Sequence, residues 1–264
     1  MPAWLRCEAD RLGKETLQEL RLRIRFPPEL VLSGKSVWLS REATEEDLRF
    51  VINTSSRYSP WTAATVSSGY LTAPGGHRIG LCGDVTCRDG TPTGIRQPES
   101  LCIRVCRDFP GISSGIGIRS GSLLILGAPG WGKTTLLRDI ARNIAEKDTV
   151  AVVDERGELF PLGIKRGRRM DVLTGCPKPQ GIDMVLRTMS PQWIAVDEIT
   201  GAGDCQAIRN AVGCGVRFLA TAHASSRQDL YQRPIYRPLA ESGLFDTVCV
   251  LKPDKSFSLE RMCS

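Results

Sequence analysis

Glycine, lysine and threonine occur between residues 127 and 134 at the spacing of a phosphate-binding loop. The segment GAPGWGKT fits the pattern GxxxxGK(S/T), follows the apolar run LLIL and opens an amphipathic helical stretch. Such glycines let backbone N–H groups point at an anion, and the first helical turn adds partial positive charge. Lys133 would contact the β- and γ-phosphates of a nucleoside triphosphate, and the Thr134 hydroxyl would ligate Mg²⁺. The predicted nucleotide-binding residues are Gly127, Ala128, Pro129, Gly130, Trp131, Gly132, Lys133, Thr134 and Thr135.

Two later apolar runs end in carboxylates. WIAVDE ends in two adjacent carboxylates, Asp197 and Glu198, and Asp197 fits a second Mg²⁺ ligand. Unpaired charge at the end of a buried strand is costly, so these carboxylates favour a functional interpretation. VAVVDERGE follows the helix of the phosphate-binding loop, so its acids should face the γ-phosphate, where a water-activating carboxylate is needed. Glu158 and Glu198 are therefore both candidate bases. A loop closed by an ion pair with Arg156 is the alternative interpretation of the VAVVDERGE segment.

Basic side chains could complete such a site. FLATAHA places His223 at the end of a further strand, where it would either sense the γ-phosphate or serve as a hydrogen-bonded structural histidine. The segment KRGRR, residues 165–169, is either a solvated basic loop or a donor of arginine to a phosphate or to a neighbouring subunit. Arginines that could act from a neighbour are Arg78, Arg104, Arg107, Arg168 and Arg169.

The elements that must position these residues alternate between strand and helix in the second half of the chain. Apolar runs at residues 123–127, 149–154, 193–197 and 217–223 are separated by helical stretches. This pattern predicts a mostly parallel sheet covered on both faces. The last apolar run, VCVLKPDKSFSLERM, predicts a hairpin at the sheet edge.

The first half predicts a smaller α+β domain with an antiparallel sheet. LRLRIR alternates with the period of a strand, and Thr44 is a candidate N-cap before three acidic residues. GYLTAPGGHRIGLCGDV predicts a hairpin, RDGTPTG a second turn, and SLCIRVCR a strand over residues 100–107. Glycine and serine then become frequent. The predicted organisation is an N-terminal domain over residues 1–110, a linker over 111–120 and a second domain over 121–264.

Composition narrows the class of protein. Apolar residues make up 41% and charged residues 24% of 264 residues, which excludes a disordered chain. The net charge of +6 suits nucleic acid, an anionic membrane or polyphosphate, and also a mildly basic surface. No membrane-spanning run and no signal sequence is found, which predicts a cytoplasmic protein. The ten cysteines form no CxxC pair, so we expect no zinc site and expect most of them to be buried apolar residues.

The order of GAPGWGKTTLLRDIAR, VVDERGEL, MDVLTGCPKPQGIDMVLRTMSPQWIAVDEI and TAHA resembles the stage III sporulation protein AA family of endospore-forming bacteria. The likeness extends through LRLRIR and GYLTAPGGHRIGLCGDV. More distantly, the chain is similar to the traffic ATPases of type II and type IV secretion and of pilus motors. The resemblance implies a RecA-like P-loop domain with WIAVDE as the Walker B strand, VVDERGE as the acidic box and His223 at the histidine-box position.

The resemblance further implies a hexameric ring at the base of a transenvelope channel between mother cell and forespore. The sequence therefore predicts a homo-oligomeric ATPase motor subunit that uses ATP and Mg²⁺ and is partnered by membrane channel proteins. Two alternatives remain open: a RecA-like ATPase stimulated by nucleic acid, disfavoured because basic and aromatic residues do not cluster, and a nucleotide-gated scaffold without turnover. The predicted catalytic residues are Lys133, Glu158, Glu198 and His223.

Overall fold

The computed structural model describes residues 1–33, 35–56, 69–117, 121–161 and 163–262. The chain divides into two compact units, Met1–Arg107 and Asp108–Ser264. Each unit has its own sheet and its own apolar core. No helix among the described residues is long and apolar enough to cross a membrane.

The first unit is built on an antiparallel sheet of six strands within the described residues, in the order β3-β2-β1-β6-β5-β4. Its inward-facing leucines, isoleucines and valines form one core. Its elements are α1 Ala3–Leu12, β1 Leu17–Arg23, β2 Glu29–Leu32, β3 Lys35–Trp38, α2 Glu45–Ser56, β4 Tyr70–Ala73, β5 His77–Arg88 and β6 Thr91–Arg104.

Local sequence explains two features of this unit. Thr44 and Asp47 form a capping box at the start of α2, since the Thr44 Oγ1 accepts from the Asp47 N–H at 3.2 Å and the Asp47 carboxylate accepts from the Thr44 N–H at 3.0 Å. The predicted N-cap is therefore confirmed. The last strand begins earlier than predicted, because Asp89 and Gly90, both with positive φ, make a two-residue turn that continues the β5–β6 ladder.

The second unit contains a mostly parallel sheet in the order β13-β12-β7-β11-β10-β8-β9, in which only the β12–β13 pair is antiparallel among the described strands. Its elements are β7 Leu123–Leu126, α3 Lys133–Ile144, β8 Val150–Asp154, β9 Met170–Thr174, α4 Lys178–Met189, β10 Trp193–Val196, α5 Ala202–Gly213, β11 Arg217–Ala222, α6 Arg227–Gln232, α7 Arg237–Glu241, β12 Thr247–Leu251 and β13 Phe257–Arg261.

Continuous apolar strands fit this sheet because both of its faces are covered. Alternate residues of β7 enter different cores: Leu124 and Leu126 pack on one face, Leu123 and Ile125 on the other. The predicted parallel strands and the C-terminal edge hairpin are confirmed. The α/β class is confirmed as well, with an antiparallel N-terminal sheet followed by a sheet of mostly parallel strands. The edge strand β9 was not predicted, because the apolar pattern of MDVLT is weak. The weak pattern corresponds to its half-exposed place at the edge of the sheet.

The segment after the first unit is fastened to α3. Asp139, which is buried, accepts hydrogen bonds from the Gly111 N–H at 2.9 Å, the Ser113 N–H at 2.9 Å and the Ser113 hydroxyl at 2.7 Å. Arg142 donates to both carboxylate oxygens of Asp108 at 2.7 Å. The start of the predicted linker is thus held by the second unit, and its residues 118–120 lie outside the described residues.

We expect Asp139→Asn to lower the free energy of unfolding by about 3 kcal/mol at pH 7, because it removes a buried charge that several donors and Arg142 face. Burial acts to raise the pKa of Asp139, but the hydrogen bonds from Ser113 and Gly111 and the Arg142 guanidinium hold it below its usual value. The charged form therefore stabilises the fold above about pH 4, the pKa of an aspartate in the unfolded chain. This stabilisation is lost as the pH falls through the lower pKa of the folded state.

Urea unfolding of wild type and variant at pH 7 and below pH 4 checks this prediction. The matched control is Asp183→Asn, which removes an exposed carboxylate paired with Arg187 one helical turn away; its effect should stay within about 0.5 kcal/mol. An Asp139→Asn variant as stable as this control at pH 7 would contradict the prediction.

The cysteines depart from expectation. Only Cys205 and Cys249 are buried among the nine that are described, so the prediction that most are buried is wrong. Burial raises the pKa of Cys249 to about 12 and that of Cys205 to about 11, which disfavours the reactive thiolate. The others lie on α1, on strands and in loops, where their small side chains need no core position. The exposed ones are Cys7, Cys82, Cys87 and Cys214.

Candidate functional site

The loop between β7 and α3 has the backbone of an anion-binding turn. Gly130 and Gly132 adopt φ values of 79° and 102°, a region that side chains disfavour, and both face open space. Gly127 is closely packed, since a Cβ there would lie 3.2 Å from the Leu251 Cβ and 3.4 Å from the Trp131 ring. Trp131 packs against the core on the α3 face of the sheet. This packing accounts for a bulky residue inside the loop.

Lys133, the first residue of α3, turns its side chain back over this loop. Its Nζ donates to the carbonyls of Gly127 at 2.8 Å and Ala128 at 3.1 Å. Burial lowers the pKa of Lys133, while the Asp197 and Glu198 carboxylates act to raise it. A desolvated ammonium that is held by neutral carbonyls gains strongly from a nearby anion.

Thr134 and Asp197 meet although they lie on different elements. The Thr134 hydroxyl donates to Asp197 Oδ2 at 2.7 Å, and the buried Thr221 hydroxyl donates to Asp197 Oδ1 at 2.7 Å. Thr221 Oγ1 also accepts from the Glu198 N–H at 2.8 Å. This bond holds Glu198 at φ 46°, which is uncommon for a residue other than glycine. Thr221 therefore fixes the carboxylate of Asp197 and the backbone of Glu198 together.

His223 joins Lys133 to Glu198. Its Nδ1 lies 3.1 Å from Lys133 Nζ, and its Nε2 lies 3.0 Å from Glu198 Oε1. Because an ammonium only donates, Nδ1 must accept and Nε2 carries the proton that faces the carboxylate. The backbone N–H of His223 donates to the Tyr236 hydroxyl at 3.3 Å, which in turn donates to the Ile199 carbonyl at 3.0 Å.

The acidic segment after β8 is shaped by its own first carboxylate. Asp154 is buried and accepts hydrogen bonds from the N–H groups of Glu158, Leu159 and Phe160, at 2.9, 2.9 and 3.1 Å. Burial raises the pKa of Asp154, and these bonds act against that rise. Asp154 thus folds the segment into a turn that carries Glu158. The Glu155 carboxylate on this turn contacts Lys178 at 2.6 Å, not Arg156 as the alternative interpretation expects.

Both candidate bases border one small cavity of about 70 Å³. The Thr134 hydroxyl and the Asp197 carboxylate border it too, so the structure brings three segments that are distant in sequence to one place. The residues that line it are Thr134, Val153, Asp154, Glu155, Arg156, Glu158, Lys178, Asp197, Glu198 and Thr200.

The candidate arginines have local partners or lie exposed. In the first unit, Arg78 stacks on an aromatic ring, Arg104 pairs with a carboxylate and Arg107 donates to a backbone carbonyl. In the second unit, Arg168 and Arg169 are exposed before β9. Their predicted role in a neighbouring subunit stays a prediction.

Three residues that line or brace this site were not predicted: Thr221, Lys178 and Tyr236. Thr221 lies in the FLATAHA segment, two positions before His223. Its neighbours are apolar, so it resembles an ordinary strand residue. Lys178 follows a proline in GCPKPQG and has no motif around it. A polar residue inside an apolar strand, as at Thr221, is the one signal that could have been used.

Comparisons with known proteins show which family and which fold this chain resembles. The sequence model of the family described as sporulation stage III, protein AA matches residues 6–258. Stage III sporulation protein AA of Bacillus subtilis (strain 168) is 39% identical over 247 residues, 87% of this chain and 80% of that protein. Among solved structures, the pilus retraction motor PilT with bound ADP has a TM-score of 0.68 at 14% identity, covering 98% of this chain and 82% of its own. The Legionella pneumophila ATPase DotB has a TM-score of 0.58 at 18% identity, covering 99% and 80%.

Proposed function

The chain belongs to the sporulation stage III, protein AA family, as its motifs predict, and we propose that it is a P-loop ATPase that hydrolyses ATP with Mg²⁺ as a motor subunit. One observation carries the proposal: the desolvated Lys133 ammonium lies over a glycine loop while the adjacent Thr134 hydroxyl contacts Asp197 at 2.7 Å. The similarity of fold to PilT, a pilus retraction motor solved with bound ADP, and to the ATPase DotB supports it.

The residues present fit ATP and Mg²⁺. The Thr134 hydroxyl and the Asp197 carboxylate are hard oxygen donors of the kind that Mg²⁺ prefers, and they are already adjacent. The loop amides of residues 127–135 and the Lys133 ammonium would hold the phosphates. When bound, Mg²⁺ supplies charge neutralisation at the β- and γ-phosphate oxygens. We assign these roles to a RecA-like domain over residues 121–264, preceded by an N-terminal domain over 1–110 and a linker over 111–120.

The remaining groups would handle the attacking water. Glu158 is the proposed base, which orients a water molecule and accepts its proton, and Glu198 is proposed to order the water shell of the metal. His223 would report on the phosphates, because binding that draws Lys133 forward removes the hydrogen-bond partner of Nδ1 and leaves the bond to Glu198. A purely structural histidine would keep both contacts whatever is bound.

The proposed setting is a hexameric ring in the cytoplasm, docked on membrane channel proteins between mother cell and forespore. It rests on family membership and on similarity of fold. The proposal includes neither zinc nor nucleic acid as a partner. Mg²⁺-dependent release of phosphate from ATP by the purified chain, measured with and without polynucleotide, tests the function. Absence of turnover with intact ATP binding would favour the nucleotide-gated scaffold, and strong stimulation by polynucleotide would favour the nucleic-acid-dependent ATPase.

We expect the specific activity to rise with protein concentration, because arginines from a neighbouring subunit often complete such sites and association is driven by mass action. Turnover per chain should be measured from about 0.1 to about 20 μM, with the oligomeric state followed by light scattering. A rise that parallels assembly supports the ring. A monomer with the same specific activity across this range would contradict it.

A further inference from the structure

Lys178 is a buried cation that the proposed mechanism does not use. It is the first residue of α4, and only 8% of its side chain is exposed. A positive charge at a helix N-terminus opposes the helix dipole, and burial of an ammonium adds a desolvation penalty. A lysine placed there needs strong local compensation.

Two carboxylates from different segments supply that compensation. The Glu155 Oε2 accepts from Lys178 Nζ at 2.6 Å, and Asp204 Oδ2 lies 3.8 Å from the same nitrogen. Glu155 belongs to the acidic turn that carries Glu158. Asp204, at the start of α5, accepts from the N–H of Thr200 at 2.9 Å and from its hydroxyl at 3.1 Å.

Lys178 therefore connects the two segments that carry the candidate bases. Thr200 follows Glu198 by two residues, so Asp204 ties Lys178 to the segment after β10, and Glu155 ties it to the segment after β8. Lys178 also lines the cavity that Glu158 and Glu198 share.

Close packing of α4 brings the lysine to this point. Gly181, one turn after Lys178, lies so near β8 that a Cβ on it would come within 2.5 Å of Val153 Cγ1. The absence of a side chain at Gly181 lets the helix N-terminus rest against the end of β8, directly before the acidic turn.

We propose that Lys178 is a positioning residue that sets the separation of Glu158 and Glu198 by bridging Glu155 and Asp204. This inference rests on the proposed ATPase function for its kinetic consequence, but the bridge itself is a property of the nucleotide-free chain. It assigns Lys178 no contact with nucleotide.

The first test needs no turnover. In nucleotide-free protein, Lys178→Met should speed amide hydrogen exchange in residues 156–160 and 198–201 while residues 129–134 exchange as in wild type. Lys147→Met is the matched control, since Lys147 is exposed in the turn that follows α3 and should change neither segment. Unchanged exchange in both carboxylate segments would overturn the bridge.

The second test is kinetic. We expect Lys178→Met to lower kcat by about tenfold or more with the KM for ATP within about threefold of wild type, because misplacement of a catalytic group affects the chemical step. Lys178→Arg should restore most of the rate. A raised KM with unchanged kcat would show that Lys178 binds nucleotide directly and would overturn the positioning role.

The single variant Glu155→Gln keeps the proposal testable if Lys178→Met does not fold. Glu155 is partly exposed, so Glu155→Gln should fold, and it should reproduce the faster exchange and the lower kcat. Where all variants fold, Glu155→Gln combined with Lys178→Met should be no worse than Lys178→Met alone. Additive losses would overturn the bridge. A wild-type chain with no Lys133-dependent turnover would instead refute the ATPase proposal, and hydrogen exchange would still decide the bridge.

Discussion

Lys133→Ala is expected to abolish ATP turnover and to weaken ATP binding. The change deletes the point charge that would face the β- and γ-phosphates. The structure adds a reason for a large effect: burial lowers the pKa of this ammonium, so its charge is poorly solvated and gains more from a phosphate than an exposed lysine would. Phosphate release and binding of a fluorescent ATP analogue, measured on the same preparations, check both parts of the prediction.

The matched control for this variant is Lys147→Ala, which removes an exposed lysine from the turn that follows α3. It should leave turnover and binding within about twofold of wild type, as expected for a surface change. Thermal unfolding of both variants separates loss of function from loss of fold. Turnover at the wild-type rate in Lys133→Ala would refute the phosphate-binding loop.

The second large effect concerns the two candidate bases. Glu158→Gln is expected to bind Mg-ATP with near-normal affinity while losing about a hundredfold or more in turnover, since the amide keeps the shape but cannot accept the proton. Glu198→Gln is expected to be slower and also to need more Mg²⁺. The structure provides a basis for different roles, because Glu198 pairs with His223 and has its backbone fixed by Thr221, whereas Glu158 lies on the turn shaped by Asp154.

Single-turnover hydrolysis, nucleotide affinity and the Mg²⁺ dependence of rate distinguish the two residues. Glu260→Gln, which alters an exposed carboxylate on β13, is a suitable control. If Glu158→Gln hydrolyses ATP normally while Glu198→Gln retains ATP unhydrolysed, the assignments are reversed and Glu198 is the base.

Much of the fold could be predicted because its signals are local. The glycine loop with its lysine, the apolar runs of the parallel strands and the capping box at Thr44 each depend on residues within a few positions of one another. Propensity, periodicity and hydrogen bonding to the nearest backbone decide such features. The family followed from the order of several such segments, and the sequence comparison confirms it.

Boundaries and exposure were predicted less well. The strand β6 begins nine residues before the strand predicted from Ser100, since its pairing with β5 continues the ladder to the turn at Asp89 and Gly90. The cysteines were expected inside because the residue type favours burial on average. Most lie partly or fully exposed, because position in the sheet decides burial and residue type only biases it.

The candidate site depended on tertiary structure in a different way. The sequence alone determined which groups are present: a cation after a glycine loop, a hydroxyl beside it, and carboxylates at two strand ends. The folded chain decided that Thr221 holds Asp197 and Glu198 together, that His223 lies between Lys133 and Glu198, and that Lys178 contacts Glu155. These contacts join residues that are 23 to 90 positions apart. No local sequence pattern predicts these contacts, because parallel strands bring their carboxyl ends to one edge only after the whole sheet has formed.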